Sequence, residues 1–441
     1  IQVSSTYIYL FLLFGVILVN SGIGRWLDDL AFGLTGTMTG GTAKAAVVSS
    51  ALQGTISGSS VANTVSSGSF TIPMMKRAGF RKEFAGATEA AASTGGQYMP
   101  PVMGAAAFIM AAYTGIPYEE IIIMAAIPAL LYFTGVFFST HWEASRYGIR
   151  GLPRSALPPL KGLLVRAYLV APIVVLIGSL VSGRTPTLAA LWGLGTALLV
   201  SVFSEDGRKM LMRLWEMGVE GAKWALPVIA ACATAGIVAG IVTRTGLGTK
   251  LASELVQLSG NNLWVLLFLT MIACLILGMG LPTTANYIVT ATIAAPALIE
   301  MGVPAIAAHL FVFYFGVLAD ITPPVCLAAY AAAGLARANP FKVGVTAVKI
   351  AVAAFIAPYL FVANPVLVLQ DVEAWEFISA LVTAVLGMAV IAAGMMGYLL
   401  TRSRRWESVV LVFAGIGLAF PDVRLALPAA VLAAPVILLQ L

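Results

Sequence analysis

Charge is what this sequence has least of. Only 10% of its 441 residues are Asp, Glu, Lys or Arg, while 60% are apolar. A water-soluble domain of this length cannot hide that much hydrocarbon, so the chain reads as an all-α polytopic membrane protein. Histidine is almost missing: His141 and His309 are the whole supply, and neither stands beside a nucleophile. No HExxH or GxSxG occurs, so the chain is not expected to be an enzyme. The three cysteines, Cys232, Cys274 and Cys326, lie inside apolar segments without metal-ligand or disulfide spacing and read as small core residues. The net charge of +6 does not point to nucleic acid, because the basic residues sit in short connections between apolar runs. No charged segment precedes the first apolar run, Tyr7–Ser21, which is therefore not read as a signal peptide.

What is present is an odd polar stretch, Ser57–Pro73, reading SGSSVANTVSSGSFTIP. In lipid an unpaired backbone group costs several kcal/mol, so non-helical chain survives only inside protein or along a cavity. The pattern returns 223 residues later, around Pro282–Pro296. At roughly 17–25 apolar residues per crossing, helices are predicted at about 5–22, 84–113, 119–140, 163–182, 187–203, 225–243, 304–336, 343–363, 376–400, 407–420 and 425–441. Residues 44–75 and 263–300, each with a polar, glycine-containing middle, read as re-entrant hairpins. Two helices are interrupted, at Thr94–Pro101 and at Asp320–Pro324, where a Pro-Pro pair removes two amide donors.

The basic residues give the hairpins a side. If each hairpin returns to the face it entered from, all of the 25 Lys and Arg except Arg184, Arg244, Lys250 and Arg424 fall on one face, which must be cytoplasmic. The first hairpin then enters from the cytoplasm and the second from outside.

A gapless shift of 223 places Ala62-Asn63 on Ala285-Asn286, Pro73 on Pro296, Gly79 on Gly302 and Pro100-Pro101-Val102 on Pro323-Pro324-Val325. With one extra residue, Ser21-Gly22-Ile23-Gly24 meets Thr245-Gly246-Leu247-Gly248. Opposite orientation of the two copies is the inverted-repeat plan of secondary carriers. The expected organisation is a first repeat over 1–150 with the cytoplasmic hairpin 44–75, and a second over 151–365 with the extracytoplasmic hairpin 263–300. Extra transmembrane helices follow over 366–441. Copy two has helices at 163–182 and 187–203 ahead of 225–243, whereas copy one starts at the counterpart of 225–243, so about two further helices are expected ahead of residue 1.

Within membrane depth the hairpin tips and helix breaks offer hydroxyls, amides and free carbonyls. Such hard oxygens suit a small cation, and half-helix N-termini suit a carboxylate. One Na+ site is expected from Ser57, Ser60, Asn63, Thr94, Gly95 and Gly96. Its symmetry mate would use Gly280, Thr283, Thr284, Asn286, Asp320 and Thr322. Substrate would dock between the tips, on Ser59, Ser60, Asn63, Thr64, Thr284 and Asn286. Asp320 is an intramembrane acid and so a functional candidate, or else a cap for the half-helix after Pro324; Gln97 holds its place in the other copy. Glu89 is read as interfacial in preference to a proton or cation group, His141 as solvent-facing, His309 as structural, Arg337 as a cytoplasmic anchor, and Glu119 and Glu120 as an outer loop in preference to a docking patch. No Arg stands at the tips, which favours a monocarboxylate or small oxo acid over a clamped dicarboxylate. A channel is the second class; it is disfavoured because Asp320 faces Gln97 across the repeat and no ring of charges exists.

These residues resemble the large membrane (permease) subunit of TRAP transporters, within the ion-transporter superfamily of elevator carriers. The resemblance covers residues 1–365. It rests on KAAVVSSALQGTISGSSVANTVSSGSFTIPMMKRAGF (44–80), EAAASTGGQYMPPVMGAAAFIMAAYTGIPY (89–118), GMGLPTTANYIVT (278–290) and DITPPVCLAAYAAAGLA (320–336). The first two are similar to the TAXI branch, whose permeases often carry the small four-helix subunit fused ahead of the large one; the tail after Pro365 resembles their extra C-terminal helices. The resemblance implies a scaffold and a moving transport domain holding both hairpins, in a bacterial inner membrane. It implies cation-coupled symport of a small organic acid delivered by a periplasmic substrate-binding protein. The coupling ion it implies is Na+, with H+ as the alternative in TAXI members. A carrier of the same superfamily that works without a binding protein is the runner-up.

Overall fold

A computed structural model describes residues 9–370 and 372–440. Among the described residues the chain is helical throughout, without a strand. In order the helices are α1 (Tyr9–Asn20), α2 (Ile23–Thr35), α3 (Gly41–Ser57), α4 (Ser60–Arg77), α5 (Lys82–Gly96), α6 (Ala106–Thr114) and α7 (Tyr118–Tyr147). Then come α8 (Leu160–Val165), α9 (Ala171–Val181), α10 (Pro186–Ser201), α11 (Glu205–Leu211), α12 (Leu214–Arg244), α13 (Leu247–Leu258) and α14 (Leu263–Leu277). The last are α15 (Thr283–Glu300), α16 (Ala305–Leu318), α17 (Leu327–Ala336), α18 (Pro340–Ala363), α19 (Ala374–Met396), α20 (Arg405–Ala419) and α21 (Val423–Gln440). By length and composition α7, α12, α18 and α19 can each cross a membrane unaided, and two bent pairs raise this to six. The remaining apolar helices are short, as expected of hairpin arms and half-helices. The protein is a multi-pass membrane protein.

Both predicted hairpins are pairs of packed helices, α3–α4 and α14–α15. The first turns at Gly58, which takes a left-handed φ of +58° that a side chain would resist. Ser59 then caps α4, its Oγ accepting from the Ala62 amide. The second turns through Gly280 (φ +78°) and Pro282. Both predicted breaks are present, α5 stopping at Gly96 before α6 and α16 stopping at Leu318 before α17. Each contains a cis Pro-Pro bond, Pro100-Pro101 and Pro323-Pro324.

Three helices were not expected: the short α11, and α2 and α13. The last two share a setting. Each follows a left-handed glycine, Gly22 or Gly246, at the upstream edge of the repeat match. Both are amphipathic: α2 buries Trp26, Leu27, Ala31 and Phe32 and carries Arg25, Asp28 and Asp29 elsewhere on its surface. A short helix with a polar face carries no span-length apolar run, so a hydropathy reading passes over it. The expected start of the first helix at residue 5, and Tyr7 with it, lies outside the described residues. Glu119 and Glu120 stand in the first turn of α7 rather than in a loop, where carboxylates favour the helix N-terminus.

The packing divides the helices into two groups. One gathers α3–α7 and α14–α18 around α5, which touches α3, α4, α7, α17 and α18. The other joins α1 to α10 and α12, with α9 on α10. The groups meet chiefly where α12 packs on α15. The C-terminal helices lie on the first group. Here α19 packs on α7 and α18, Trp142 donates its indole N–H to the Ala389 carbonyl (3.0 Å), and Arg146 reaches the Met396 carbonyl (2.7 Å).

Candidate functional site

The hairpin tips and helix breaks meet in one hydrogen-bonded chain. Ser60, in the first turn of α4, donates to Asp320 Oδ2 at 2.6 Å. Gln97, in the other break, donates its amide to the same oxygen at 3.0 Å. Thr283, in the first turn of α15, donates to Gln97 Oε1. Ser60 and Thr283 are counterparts under the 223-residue shift, and so are Gln97 and Asp320. Each tip hydroxyl therefore binds the break of the opposite repeat, and the two break residues bind each other where the pseudo-twofold axis passes. Thr284 extends the contact between repeats by donating to the Gly104 carbonyl at 2.7 Å. Behind them Tyr98 stacks on Tyr314 with centroids 3.9 Å apart.

Two cavities flank this junction. One, of about 480 Å³, lies between the tips and the α1–α12 group; it is lined by Ser57–Val61, Gly280–Thr284 and Asp320, with Phe11, Leu12, Pro227 and Val228 opposite. The other, of about 1050 Å³, lies beside the first hairpin and is lined by Arg25, Asp28, Gln53, Ser57, Ser59, Asn63 and Trp224, among others. Of the expected substrate contacts, Ser59, Ser60 and Thr284 line the smaller cavity and Ser59 and Asn63 the larger. Thr64 and Asn286 depart from the expectation. Both are buried behind the tips and line neither cavity.

The expected cation ligands divide in the same way. Ser57 Oγ, Asn63 Oδ1 and Thr94 Oγ1 are buried oxygens without a hydrogen-bond partner among the described residues. Asn63 is held by its amide on the Ser50 carbonyl (3.1 Å), and α3 and α5 approach so closely that a Cβ on Gly54 would lie 2.2 Å from Gly96 Cα. Gly95 and Gly96 end α5 and are fully enclosed. In copy two, Asn286 donates to the Gly316 carbonyl (2.7 Å) and leaves its own Oδ1 unpartnered. Lone buried oxygens are costly unless something binds them. Hydroxyl and amide oxygens without nitrogen or sulfur form the donor set of a hard cation, so these residues fit Na+. Three of the second set do not gather as expected. Asp320 is turned to Ser60 and Gln97 of the first repeat, Thr283 is turned to Gln97, and Thr322 donates to the Leu318 carbonyl of its own helix (2.8 Å). The repeats interlock, so ligands assigned by sequence proximity were shared out across the axis.

Glu89 is enclosed by protein: it is fully buried, with four hydroxyls, those of Ser50, Ser67, Thr71 and Ser93, on its carboxylate. The signal was in the sequence: Ser67 and Thr71 share one face of α4, and Ser93 stands one turn beyond Glu89 on α5. His141 is likewise half-buried, with Nδ1 3.1 Å from the ammonium of Lys44, itself buried in α3. His309 is a satisfied structural residue, Nδ1 lying 2.7 Å from the Tyr287 hydroxyl.

The model of the DctM component of the tripartite ATP-independent periplasmic transporters matches residues 1–376. The chain belongs to this family. As a DctM-family protein it is a TRAP transporter large permease subunit, a solute transporter and not an enzyme. A second model, a domain of unknown function (DUF3394), matches 377–432, the helices α19 to α21. Similar proteins include the isethionate TRAP transporter permease protein DctMQ of Oleidesulfovibrio alaskensis, 26% identical over 75% of this chain and 52% of its own length. The C4-dicarboxylate TRAP transporter large permease protein DctM of Pseudomonas aeruginosa is 28% identical over 72% of this chain and 74% of its own. The sialic acid TRAP transporter large permease protein SiaM of Vibrio cholerae is 25% identical over 73% and 74%. The chain thus spans about half the length of the isethionate relative and about three quarters of the other two.

Proposed function

We propose that this chain is the membrane carrier of a cation-coupled symporter for a small organic acid, working by an elevator motion in a bacterial inner membrane. A periplasmic substrate-binding protein delivers the solute, and a small four-helix membrane subunit, separate or fused, completes the assembly. The observation that carries this reading is the crossed junction of Ser60, Asp320, Gln97 and Thr283 beside the 480 Å³ cavity. A ligand in that cavity touches both tips at once. Na+ at the lone oxygens of Ser57, Asn63 and Thr94, and at Asn286 in copy two, orders the tips before the substrate docks. Ser59, whose hydroxyl hydrogen is free among the described residues, then donates to its carboxylate, Ser60 and Thr284 join by turning from Asp320 and the Gly104 carbonyl, and the apolar wall of Phe11, Leu12 and Val228 receives its body. Binding that depends on a cation at each tip couples the two fluxes, and the cation offsets the cost of carrying an anion through lipid. The relatives' solutes, isethionate, C4-dicarboxylates and sialic acid, all bear an anionic group. Reconstitution into liposomes with candidate binding proteins, under an imposed sodium or proton gradient, tests the reading. Saturable uptake that needs a gradient and the binding protein is expected. Uptake undiminished without either gradient overturns coupling, and single-channel current overturns the carrier.

A further inference from the structure

Glu89 is the buried acid that the tip junction leaves unused. Its Oε1 lies 2.8 Å from Ser50 Oγ, 2.5 Å from Ser67 Oγ and 3.1 Å from Ser93 Oγ, and its Oε2 lies 2.5 Å from Thr71 Oγ1. Room for the side chain comes from Gly68, where a Cβ would stand 2.9 Å from Glu89 Cγ. No ion pair joins Glu89 to a described Lys, Arg or His. The elements around α5 do bring charge. Lys44 comes from α3, Lys76 and Arg77 from α4, His141, Glu143 and Arg146 from α7, and Lys342 and Lys349 from α18, with Lys82 and Glu83 on α5 itself. Several are engaged elsewhere: Lys44 with His141, Lys76 with the Ala336 carbonyl, and Glu143 with Arg81. From α17 comes only Tyr330, whose hydroxyl is on Pro324. Asp28, on α2, is engaged by Ser49 and Gln53. The carboxyl thus has neutral dipoles around it and no counter-cation, in a setting where a bare charge is expensive.

The hydrogens are informative. Each hydroxyl has one to give. Thr71 Oγ1 is also 3.1 Å from the Ser67 carbonyl, and Ser67 Oγ is 2.8 Å from the Asn63 carbonyl. A proton on Oε2 donates to Thr71 Oγ1, which then keeps its own hydrogen on the Ser67 carbonyl, while the single hydrogen of Ser67 serves Oε1 or the Asn63 carbonyl. Without that proton, Thr71 must abandon the carbonyl. A metal ion fits poorly, because the hydroxyls already lie against the carboxyl oxygens with no gap for it. The site is also one residue from a cavity: Ser67 bonds to the Asn63 carbonyl, and Asn63 lines the 1050 Å³ cavity.

We propose that Glu89 is a proton-binding site, taking up and releasing a proton at Oε2, and that this proton is a coupling ion of transport. Three of its four hydroxyls ride on the first hairpin (Ser50 on α3, Ser67 and Thr71 on α4), while Glu89 and Ser93 belong to the broken helix. The proton therefore reports and sets how the hairpin seats on α5. The coupling half of the proposal rests on the carrier reading above, whereas the site itself does not.

Infrared difference spectroscopy of the full chain in lipid, stepped through pH in H2O and D2O, tests the site without any solute. The expected result is a protonated-carboxyl stretch that shifts in D2O and disappears at high pH. It should be lost in Glu89→Gln, kept in Asp320→Asn, and displaced in Thr71→Val, which removes the partner of Oε2. The Thr71→Val arm reads the site even where Glu89→Gln fails to fold. A band that Glu89→Gln and Thr71→Val leave untouched, or one that neither exchanges nor changes with pH, overturns the proposal. So does complete loss of the band when sodium chloride replaces choline chloride at constant pH, if Asn63→Ala, which removes the tip cation ligand, leaves that loss in force, because sodium then takes the carboxyl itself. A titrating Glu89 band in a protein whose uptake ignores both gradients keeps the site and overturns the coupling; gradient-driven uptake without the band does the reverse.

Discussion

The two repeats share a backbone plan and differ in what they bury. In copy one the broken helix α5 carries Glu89 among Ser67, Thr71 and Ser93. The same positions in copy two hold Val312, Thr290, Ala294 and Gly316, and α16 is packed with Phe311, Phe313, Tyr314 and Phe315. The hairpin arms differ likewise. Arm α3 is small-residue and buried on most sides, whereas α14 is apolar all round and exposes Trp264, Phe268, Ile272 and Ile276. An arm covered by protein can afford serines; one facing lipid cannot. Equivalent chemistry is kept at the tips, where Ser60 matches Thr283 and Asn63 matches Asn286, and in Ser67 and Thr290, each donating to the carbonyl one turn back. Gln97 against Asp320 and the acid Glu89 with the rest of its cluster are where the copies part.

That contrast can be attacked directly. The largest effect is expected from Val312→Glu, which puts an acid into copy two where only Thr290 answers the four hydroxyls that receive it in copy one. A loss of about 3–5 kcal/mol is expected, read as failure to express or a collapsed melting temperature; a normal melt would show that copy two tolerates an acid as copy one does. Next is the junction. Asp320→Ala leaves Ser60 and the Gln97 amide without their acceptor and should cut uptake by about 100-fold. Gln97→Ala should cost about tenfold, and the double variant little more than Asp320→Ala alone, since the two act as one unit. Simple multiplication of the two losses would mean that the copies act independently. Third, Asn63→Ala and Asn286→Ala should each raise the sodium concentration for half-maximal uptake by about tenfold; an unchanged sodium dependence in either removes that copy's cation site. The smallest effect should come from Trp142→Phe, which loses one hydrogen bond to α19, about 1 kcal/mol. A melt lowered by a few degrees with uptake unchanged is expected, and lost uptake would tie the tail to transport.

The parts that were legible in the sequence are those with strong local chemistry. Pro-Pro pairs and left-handed glycines have few places to go in a membrane helix, so both hairpins and both breaks could be read, and the repeat fixed Asn63 against Asn286. The helices α2 and α13 were not legible as spans, because their apolar residues line one face only. The environment of Glu89 depends on how deeply α5 sits between α3, α4 and α17, which no single segment encodes. Assigning Asp320 to its own copy followed chain proximity, whereas the fold crosses the tips over and hands it to Ser60. The register already made Gln97 and Asp320 counterparts, and counterparts that lie on a twofold axis must touch.

The seat of α19 on α7 and α18 bears on what travels. The C-terminal helices are moored to the hairpin-bearing group, with Trp264 of α14 also against Phe420 at 5.7 Å, and their principal contacts bypass α1, α9, α10 and α12. In the elevator motion proposed above, the tail travels as a passenger on the hairpin-bearing group. Its exposed Leu425, Leu427, Val431 and Leu438 would then widen that group's perimeter in the lipid and add drag to each stroke. A dye on α21 and another on α10 would therefore act as a ruler for the excursion.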